Sequence, residues 1–313
     1  MKTYIIRRSL QSIVVFCAIL VIIFSMLWLT GNPAEVLLPV DADQEAIDAL
    51  SKEMGFDQPL YIQFGYYLFG NPHQGTGGLI RGDFGISSNH EIDALELVLS
   101  HFPNTITLAV CAVCIAVILS IPLGVLSATF RNTWIDYSSS VCAMFGQSMP
   151  NFWFGLLLIL FFAVWWKVLP TSGYEDWTYL ILPSATAGIY ATARITRMVR
   201  SQMLDVLEMD YVRTARSKGL VEYVVIIFHA LKNASIPIVT LIGLELGILL
   251  GGTVVTETIF SFPGVGYLVV DAIATQDFPV VQAAVALLSL SFVFVNLFVD
   301  ILYAWLDPRI SYS

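Results

Sequence analysis

Charged residues are scarce in this chain of 313 residues: they make up 12% of it, against 57% hydrophobic residues. The mean hydropathy of +0.76 lies outside the usual range of a soluble domain and indicates a polytopic membrane protein. The net charge of −9 disfavours nucleic acid as a partner, because binding to a phosphate backbone depends on lysine and arginine.

Cysteines are few, and the common catalytic motifs are missing. Cys17, Cys111, Cys114 and Cys142 lie in apolar runs and suggest no disulfide framework. The sequence contains no G-x-x-x-x-G-K-[ST], no H-E-x-x-H and no G-x-S-x-G, and its 4 histidines form no ligand-spaced cluster. We therefore predict that the chain is not an enzyme and itself holds no cofactor or metal.

Long apolar runs predict an all-α fold of membrane-spanning helices. A helix needs about 20 mostly apolar residues to cross the hydrocarbon layer, and these runs do not alternate as barrel strands would. The third run is interrupted by the polar residues 147–151. Six spans are predicted, which would place both termini on one side: Ser9 to Thr30, Phe102 to Phe130, Tyr137 to Trp166, Tyr179 to about Ala193, Ala234 to Thr256, and Phe278 to Leu306.

The basic residues predict the orientation, because short loops rich in lysine and arginine stay in the cytoplasm. With both termini cytoplasmic, only Lys52, Arg81 and Lys167 lie outside. The chain then divides into a first membrane helix (1–30), an exterior segment (31–101), a membrane core (102–306) and a cytoplasmic tail (307–313). The cytoplasmic set is Lys2, Arg7, Arg8, Arg131, Arg194, Arg197, Arg200, Arg213, Arg216, Lys218, Lys232 and Arg309.

The exterior segment is acidic and is predicted to fold into a small cap. Asp43 to Met54 reads as a short helix that Asp43 can cap, and Leu60 to Phe69 as a second helix along the membrane surface. The strings Arg81-Gly82-Asp83 and Asp83-Phe84-Gly85 match an adhesion tripeptide and a kinase triplet by chance, since the rest of the kinase signature is absent.

One polar stretch, DYVRTARSKGL (Asp210 to Leu220), stands between two apolar runs. Apolar residues before it recur at helical spacing, and Gly219 breaks the pattern. The stretch predicts a short helix, a turn and a further helix in a cytoplasmic loop over about 198–233. A solvated hairpin near the lipid headgroups is the alternative interpretation.

This stretch and several others resemble the permease subunits of ABC importers, in the dipeptide, oligopeptide and nickel branch. Of the general loop pattern only Ala215, Gly219 and Leu231 match, but DYVRTARSKGL followed by LKNASIP is typical of the branch. Further similar segments follow in the family's order and span almost the whole chain: Pro103-Asn104-Thr105, Ser148 to Trp153, Leu169 to Gly173, Glu257 to Gly266, and Leu306-Asp307-Pro308-Arg309.

The resemblance implies a subunit of the bacterial or archaeal inner membrane whose loop docks on a separate ATPase. Its partners would be a second permease chain, two ATP-binding subunits, which would bind ATP and Mg²⁺, an external substrate-binding protein and lipid. The implied coupling residues are Asp210, Tyr211, Arg213, Thr214, Ala215, Ser217, Lys218, Gly219 and Leu220. A small Ala215 and a flexible Gly219 fit close docking, with Tyr211, Arg213 and Lys218 as anchors.

Polar residues inside the predicted spans are candidates for a solute path, because such groups are costly in lipid. The alternative is hydrogen bonding between helices. Asp300 is expected to pair with Arg309 or a loop arginine, and Gly243, Gly247, Gly251 and Gly252 to pack closely against a neighbouring helix. The path candidates are Asn104, Gln147, Ser148, Asn151, Tyr190, Glu245 and Glu257.

The function predicted first is the import of dipeptides or oligopeptides, with nickel or a metal chelate as the alternative within the same family. A secondary transporter driven by ion coupling is the alternative from another class. It would require inverted repeats with discontinuous helices in both halves, and the sequence shows no such symmetry.

Overall fold

A computed structural model describes residues 2–29, 43–53, 55–73 and 75–306. These residues form helices and two isolated β-bridges, which confirms the all-α prediction for this part of the chain. The helices are α1 (Lys2–Leu29), α2 (Gln44–Glu53), α3 (Leu60–Phe69), α4 (Ala94–Thr129), α5 (Trp134–Ser148), α6 (Asn151–Trp165), α7 (Ile181–Leu207), α8 (Asp210–Ser217), α9 (Glu222–Gly252), α10 (Val254–Ile259), α11 (Val265–Ala274) and α12 (Phe278–Leu306), with 3₁₀ turns at Leu79–Arg81 and Trp177–Leu180.

Helix α4 is the longest element and packs most extensively against α7. Its first turn is capped by Asp93, whose carboxylate accepts the Glu96 amide at 3.0 Å. At 1.5 Å per residue its 36 residues reach about 54 Å, longer than the hydrocarbon layer of about 30 Å. The predicted boundary between residues 101 and 102 therefore falls inside one continuous helix.

Glycines allow α4 and α7 to approach each other closely. A Cβ added to Gly124 would lie 2.6 Å from Val199 Cβ, and one added to Gly188 would lie 2.6 Å from the Ala112 carbonyl oxygen. Both distances are far below van der Waals contact, so side chains at these positions would force the helices apart.

Four described helices are long and apolar enough to cross a membrane: Ile6–Ser25, Ala94–Thr129, Glu222–Gly252 and Phe278–Leu302. The pair α5 and α6 is a fifth if it counts as one span. Helix α7 forms where the fourth span was expected, but it carries several charges and does not meet the same test. The count of six spans stays a prediction.

The interruption predicted in the third run is a sharp bend, called here the elbow. Helices α5 and α6 meet there at 107°. Helix α5 ends at Ser148, Met149 and Pro150 adopt extended backbone, and α6 begins at Asn151. Pro150 stands before the first residue of α6, where its missing N–H interrupts no helical hydrogen bond.

Helix α1 is attached to the rest of the chain near both ends. Arg8 forms an ion pair with Asp300 on α12. Towards its other end the Phe24 ring lies 5.3 Å from that of Phe64 and 6.0 Å from that of Tyr67, both on α3. Among the described residues, Asp300 therefore pairs with Arg8 on a packed helix and with no loop arginine, while the other expected partner, Arg309, lies outside the described residues.

The segment before α4 contains both predicted helices. Asp43 caps α2 by accepting the Ala46 amide at 3.0 Å, and α3 spans Leu60–Phe69 as expected. Met54 lies outside the described residues. The segment is joined to the start of α12 by a buried hydrogen bond of 2.5 Å from Ser87 to Asp277.

Asp136 at the start of α5 joins three helices. Its carboxylate accepts two hydrogen bonds from Arg200 of α7, at 2.7 and 2.8 Å, and one from Ser127 of α4 at 2.6 Å. It also accepts the Asn132 amide at 3.0 Å and is only 3% exposed. A buried carboxylate with this many donors fixes the relative position of the three helices.

We predict that Asp136→Asn lowers the free energy of unfolding by about 2 kcal/mol, because it leaves Arg200 without a charged partner in a partly buried site. Denaturation of the purified protein in mixed micelles measures the loss. The matched control is Arg131→Gln, which breaks the pair with Glu208 whose side chains are 54% and 70% exposed. That change should cost less than about 1 kcal/mol; equal losses in the two variants would contradict this role of Asp136.

Candidate coupling and translocation sites

Helix α8 lies at the end of the bundle where α4 and α7 finish. Its inner side is apolar: Val212 and Ala215 are buried in one cluster with Val125, Val206 and Val225. The remaining predicted coupling residues, Asp210, Tyr211, Arg213, Thr214, Ser217, Lys218, Gly219 and Leu220, are exposed. The loop is thus a folded part of the helical bundle with one free face.

Ala215 has a different environment from the one expected. It is 7% exposed and faces this chain's own core, so its small side chain permits close packing of α8 on the bundle. Gly219 matches the expectation of a turn, with φ of +77° and an amide that donates to the Arg216 carbonyl at 3.0 Å. A Cβ at Gly219 would meet nothing within 4 Å, so only the backbone conformation favours glycine there.

Polar contacts hold α8 against the start of α9. Arg216 binds Glu222 through two hydrogen bonds, at 2.6 and 3.2 Å, and these bonds raise the pKa of Arg216. The Tyr211 hydroxyl accepts from Asn233 at 2.9 Å and donates to the His229 carbonyl at 3.3 Å. These contacts give the exposed face of α8 a fixed position on α9.

Exposed apolar side chains continue from α8 onto α9. Leu220, Val221, Tyr223 and Phe228 are between 41% and 67% exposed. Of these four residues, only Leu220 was named from the sequence. Val221, Tyr223 and Phe228 could have been recognised because they are apolar side chains directly after a polar, charged helix.

Two of the predicted path residues lie on either side of Arg194. Its Nε is 2.8 Å from a carboxylate oxygen of Glu245, which is 2% exposed, and its guanidinium carbon lies 5.6 Å from the centre of the Tyr190 ring. Sequence reasoning placed Arg194 among the cytoplasmic basic residues, whereas it lies halfway along α7. Since a buried carboxylate in a span requires a cation nearby, Glu245 was the signal for it.

The elbow holds the remaining path candidates from the third run. Gln147 and Asn151 are half-buried there, and Ser148 is exposed. Both arms pack on α7: a Cβ on Gly146 would lie 3.3 Å from Ile189, and one on Gly155 would lie 3.0 Å from Thr186. The elbow therefore lies beside the part of α7 that precedes Tyr190.

Glu257 and Asn104 make contacts within this chain. Glu257 is fully buried and accepts hydrogen bonds from Thr105 at 3.0 Å, Thr253 at 2.9 Å and the Tyr267 amide at 3.1 Å. The Asn104 side chain donates to the Pro263 carbonyl at 2.8 Å. This geometry favours the alternative of hydrogen bonding between helices for both residues, and their contact with a solute stays a prediction.

The chain belongs to a family of transport proteins. Residues 120–312 match the family described as binding-protein-dependent transport system inner membrane component, and residues 1–109 match the N-terminal region of such membrane components. It is therefore the permease subunit of an ABC importer, a multi-pass protein of the bacterial inner membrane and not an enzyme. This confirms the family predicted from the motifs.

Its curated relatives match over their whole length. It is 40% identical to the glutathione transport system permease protein GsiC of Escherichia coli (strain K12) over 314 residues, which covers 100% of both chains. The protein of the same name from Shigella flexneri serotype 5b is 39% identical over the same length and with the same coverage.

Two solved structures show the fold. The inward-facing MetNI methionine ABC transporter matches with a TM-score of 0.56 and 16% identity, over 67% of this chain and 96% of that one. An amino acid ABC transporter with histidines matches with a TM-score of 0.50 and 15% identity, over 69% and 94%. At these identities the likeness concerns the fold alone.

We predict that Gly266→Ala destabilises the protein by about 1–3 kcal/mol, because the added Cβ would lie 2.6 Å from Val254 Cα and 2.9 Å from a carboxylate oxygen of Glu257. The change in thermal unfolding midpoint in detergent measures it. Gly251→Ala is the control: the expected close packing is found at Gly243 and Gly247, but nothing lies within 4 Å of a Cβ added at Gly251 or Gly252. A similar midpoint in both variants would show that the surroundings of Glu257 can relax.

Proposed function

We propose that this permease translocates small peptides handed over by an external binding protein, and that α8 couples it to separate ATPase subunits. The observation that supports the coupling role is the free face of α8 on a buried, hydrogen-bonded base. A helix that transmits motion must move with the bundle while presenting side chains to a partner. The helix is fixed to the bundle by the buried Val212 and Ala215 and by the hydrogen bonds of Arg216 and Tyr211. Its other exposed residues are available to a partner.

The free face suits a protein partner. Arg213 and Lys218 carry positive charge at its surface, and Leu220, Val221 and Tyr223 form an exposed apolar area beside them. Apolar and aromatic anchors flanked by charges are the composition of protein interfaces rather than of solvated hairpins. The partners in this proposal are two ATP-binding subunits, which bind ATP and Mg²⁺, together with a second permease chain.

Peptide is favoured over nickel as the solute. The relatives that match over the full length are named for transport of glutathione, which is a tripeptide. No observation favours nickel: within residues 2–29, 43–53, 55–73 and 75–306, no three histidine, cysteine, aspartate or glutamate side chains come together as a metal site. Mass spectrometry of the ligand that co-purifies with the binding protein tests this choice directly.

The orientation proposed is that α8 and both termini face the cytoplasm. The cluster around α8 and the segment before α4 lie at opposite ends of α4, so one of them is outside when the other is inside. The excess of basic residues at the α8 end supports its cytoplasmic location.

We predict that a cysteine at Ser217 is protected from a membrane-impermeant maleimide in intact cells, whereas a cysteine at Ser88 is labelled. Both serines are exposed, which makes them a matched pair; Ser51 would be a poor choice because it is 8% exposed. Permeabilised cells that contain the permease without its ATPase subunits supply the control, since both positions should then react. Labelling at Ser217 but not at Ser88 in intact cells would reverse the orientation.

We predict that Leu220→Asp uncouples the complex, reducing substrate-stimulated ATP hydrolysis and uptake at least about tenfold while leaving membrane insertion intact, since it places a charge on the exposed apolar area. Gly219→Val should act similarly through its positive φ, and Gly219→Asn should be better tolerated because asparagine adopts that conformation more readily. The measurement is made on the reconstituted complex.

The control is position-specific cross-linking. A cysteine at Ser217 should cross-link to an ATPase subunit, and one at Ser88 should not. If Leu220→Asp transports normally and Ser217 gives no cross-link in an assembled complex, the loop is only a solvated hairpin and not a coupling element. Ala215→Asp is unsuitable for this test, because Ala215 is part of the internal core.

A further inference from the structure

Helix α7 is buried on most sides, and one polar stripe on it remains accessible. The stripe consists of Tyr190, Arg194, Arg197 and Ser201, at intervals of four, three and four residues, which place them on one face of a helix. Tyr190 and Arg194 are half-buried, and Arg197 and Ser201 are exposed. Arg194 is paired with Glu245, which lies within the candidate span Glu222–Gly252, so this part of the stripe is at membrane depth, where a charge that faced lipid would cost several kcal/mol. The stripe therefore faces water or another protein chain.

The stripe carries an excess of positive charge. Between Tyr190 and Ser201, Arg194 and Arg197 contribute two positive charges, and Glu245, beside Arg194 at 2.8 Å, contributes one negative charge, which leaves one positive charge. The exposed Asp205 lies one turn beyond Ser201 on the same face and adds a negative charge at that end. The next arginine, Arg200, is neutralised by Asp136, and Arg197 forms no ion pair with any described residue. A solute that passes this stripe meets a site that favours a negative group.

The arginines also have hydrogen-bond donors to offer. A guanidinium has five N–H donors in a planar fork that fits a carboxylate. Arg194 and Arg197 donate no hydrogen bond to any acceptor in the described part of the chain, and the Arg194 side chain is 29% exposed. Glu245 holds Arg194 by charge on one side, and the Tyr190 ring lies 5.6 Å from the guanidinium carbon.

We propose that Arg194 and Arg197 form a carboxylate-binding site on the solute path, with Glu245 and Tyr190 as positioning residues for Arg194. The inference rests on the proposed function for the identity of the solute as a peptide. The group that the site would bind is a carboxylate, such as the C-terminal carboxylate that every free peptide carries.

The first test measures the electrostatic potential and needs no solute. The protein is an assembled complex in which Cys17, Cys111, Cys114 and Cys142 are replaced by serine and Ser201→Cys is introduced. The rate at which this cysteine reacts is measured with two methanethiosulfonates, the anionic sulfonatoethyl and the cationic trimethylammonioethyl reagent. Arg194→Gln should lower the anion-to-cation rate ratio at least about fourfold, since the removed charge lies about 10 Å along the helix. The change in the ratio is the readout, because Arg197 and Asp205 flank Ser201 one turn away on either side with opposite charges. Arg81→Gln, which removes an equal charge from an exposed side chain in the segment before α4, at the opposite end of that helix, should leave the ratio unchanged.

The second test measures transport with a chemical rescue. Arg194→Cys should reduce uptake of a peptide at least about tenfold, and uptake of its C-terminal amide much less, with both peptides first shown to bind the binding protein. Aminoethylation of the cysteine, which restores a positive charge, should recover uptake of the free peptide, and methylthiolation, which does not, should fail.

Three results would overturn the inference. Ser201→Cys that does not react in an assembled complex would mean that a partner chain covers the stripe. An unchanged rate ratio in Arg194→Gln would show that Arg194 produces no positive electrostatic potential at the stripe. Normal uptake of both the free peptide and its amide in the double variant Arg194→Glu with Glu245→Arg would show that Arg194 serves only as a partner in a structural ion pair. Absence of peptide uptake in the unmodified complex, with the rate ratio as expected, would instead contradict only the proposed peptide substrate.

Discussion

Charge that lies among apolar helices must be neutralised within a few ångströms, and this constraint accounts for the connections that fix the bundle. Lipid and packed side chains offer no water to a carboxylate, so each buried acid has its own donors or cation. Asp136 has Arg200 and Ser127, Glu245 has Arg194, and Glu257 has two threonine hydroxyls and a backbone amide. Each of these groups joins different helices, so meeting the constraint also determines how the helices are arranged.

The same constraint explains why α7, the helix with the most charges in the membrane core, lies at its centre. Two of its three arginines have partners on neighbouring helices, which a central position supplies: Asp136 on α5 for Arg200 and Glu245 on α9 for Arg194. Gly124 and Gly188 then let α4 pack closely against another side of α7. Small residues and paired charges are thus two parts of one solution to burying a polar helix.

The position of α7 connects the proposed coupling site with the proposed solute path. Helix α8 follows α7 after Glu208 and Met209, and the two helices share a buried core through Val206, Val212 and Ala215. A displacement of α8 by a partner would therefore act on the helix that carries Arg194. Asp136 lies between the two sites and ties α7 to α4 and α5, so the movement would involve these helices together.

The sequence by itself determined the membrane class and the approximate positions of the apolar helices, because both depend on local composition. It also determined the break near Pro150, the helix cap at Asp43 and the turn at Gly219, because each depends on the conformational limits or hydrogen bonding of one residue. Only the tertiary structure decided which charges pair, as with Asp300 and Arg8 or Glu245 and Arg194, and that Ala215 faces inward. Those outcomes depend on helices that are distant in sequence becoming neighbours, and hydrophobic periodicity carries no information about which helix stands beside which.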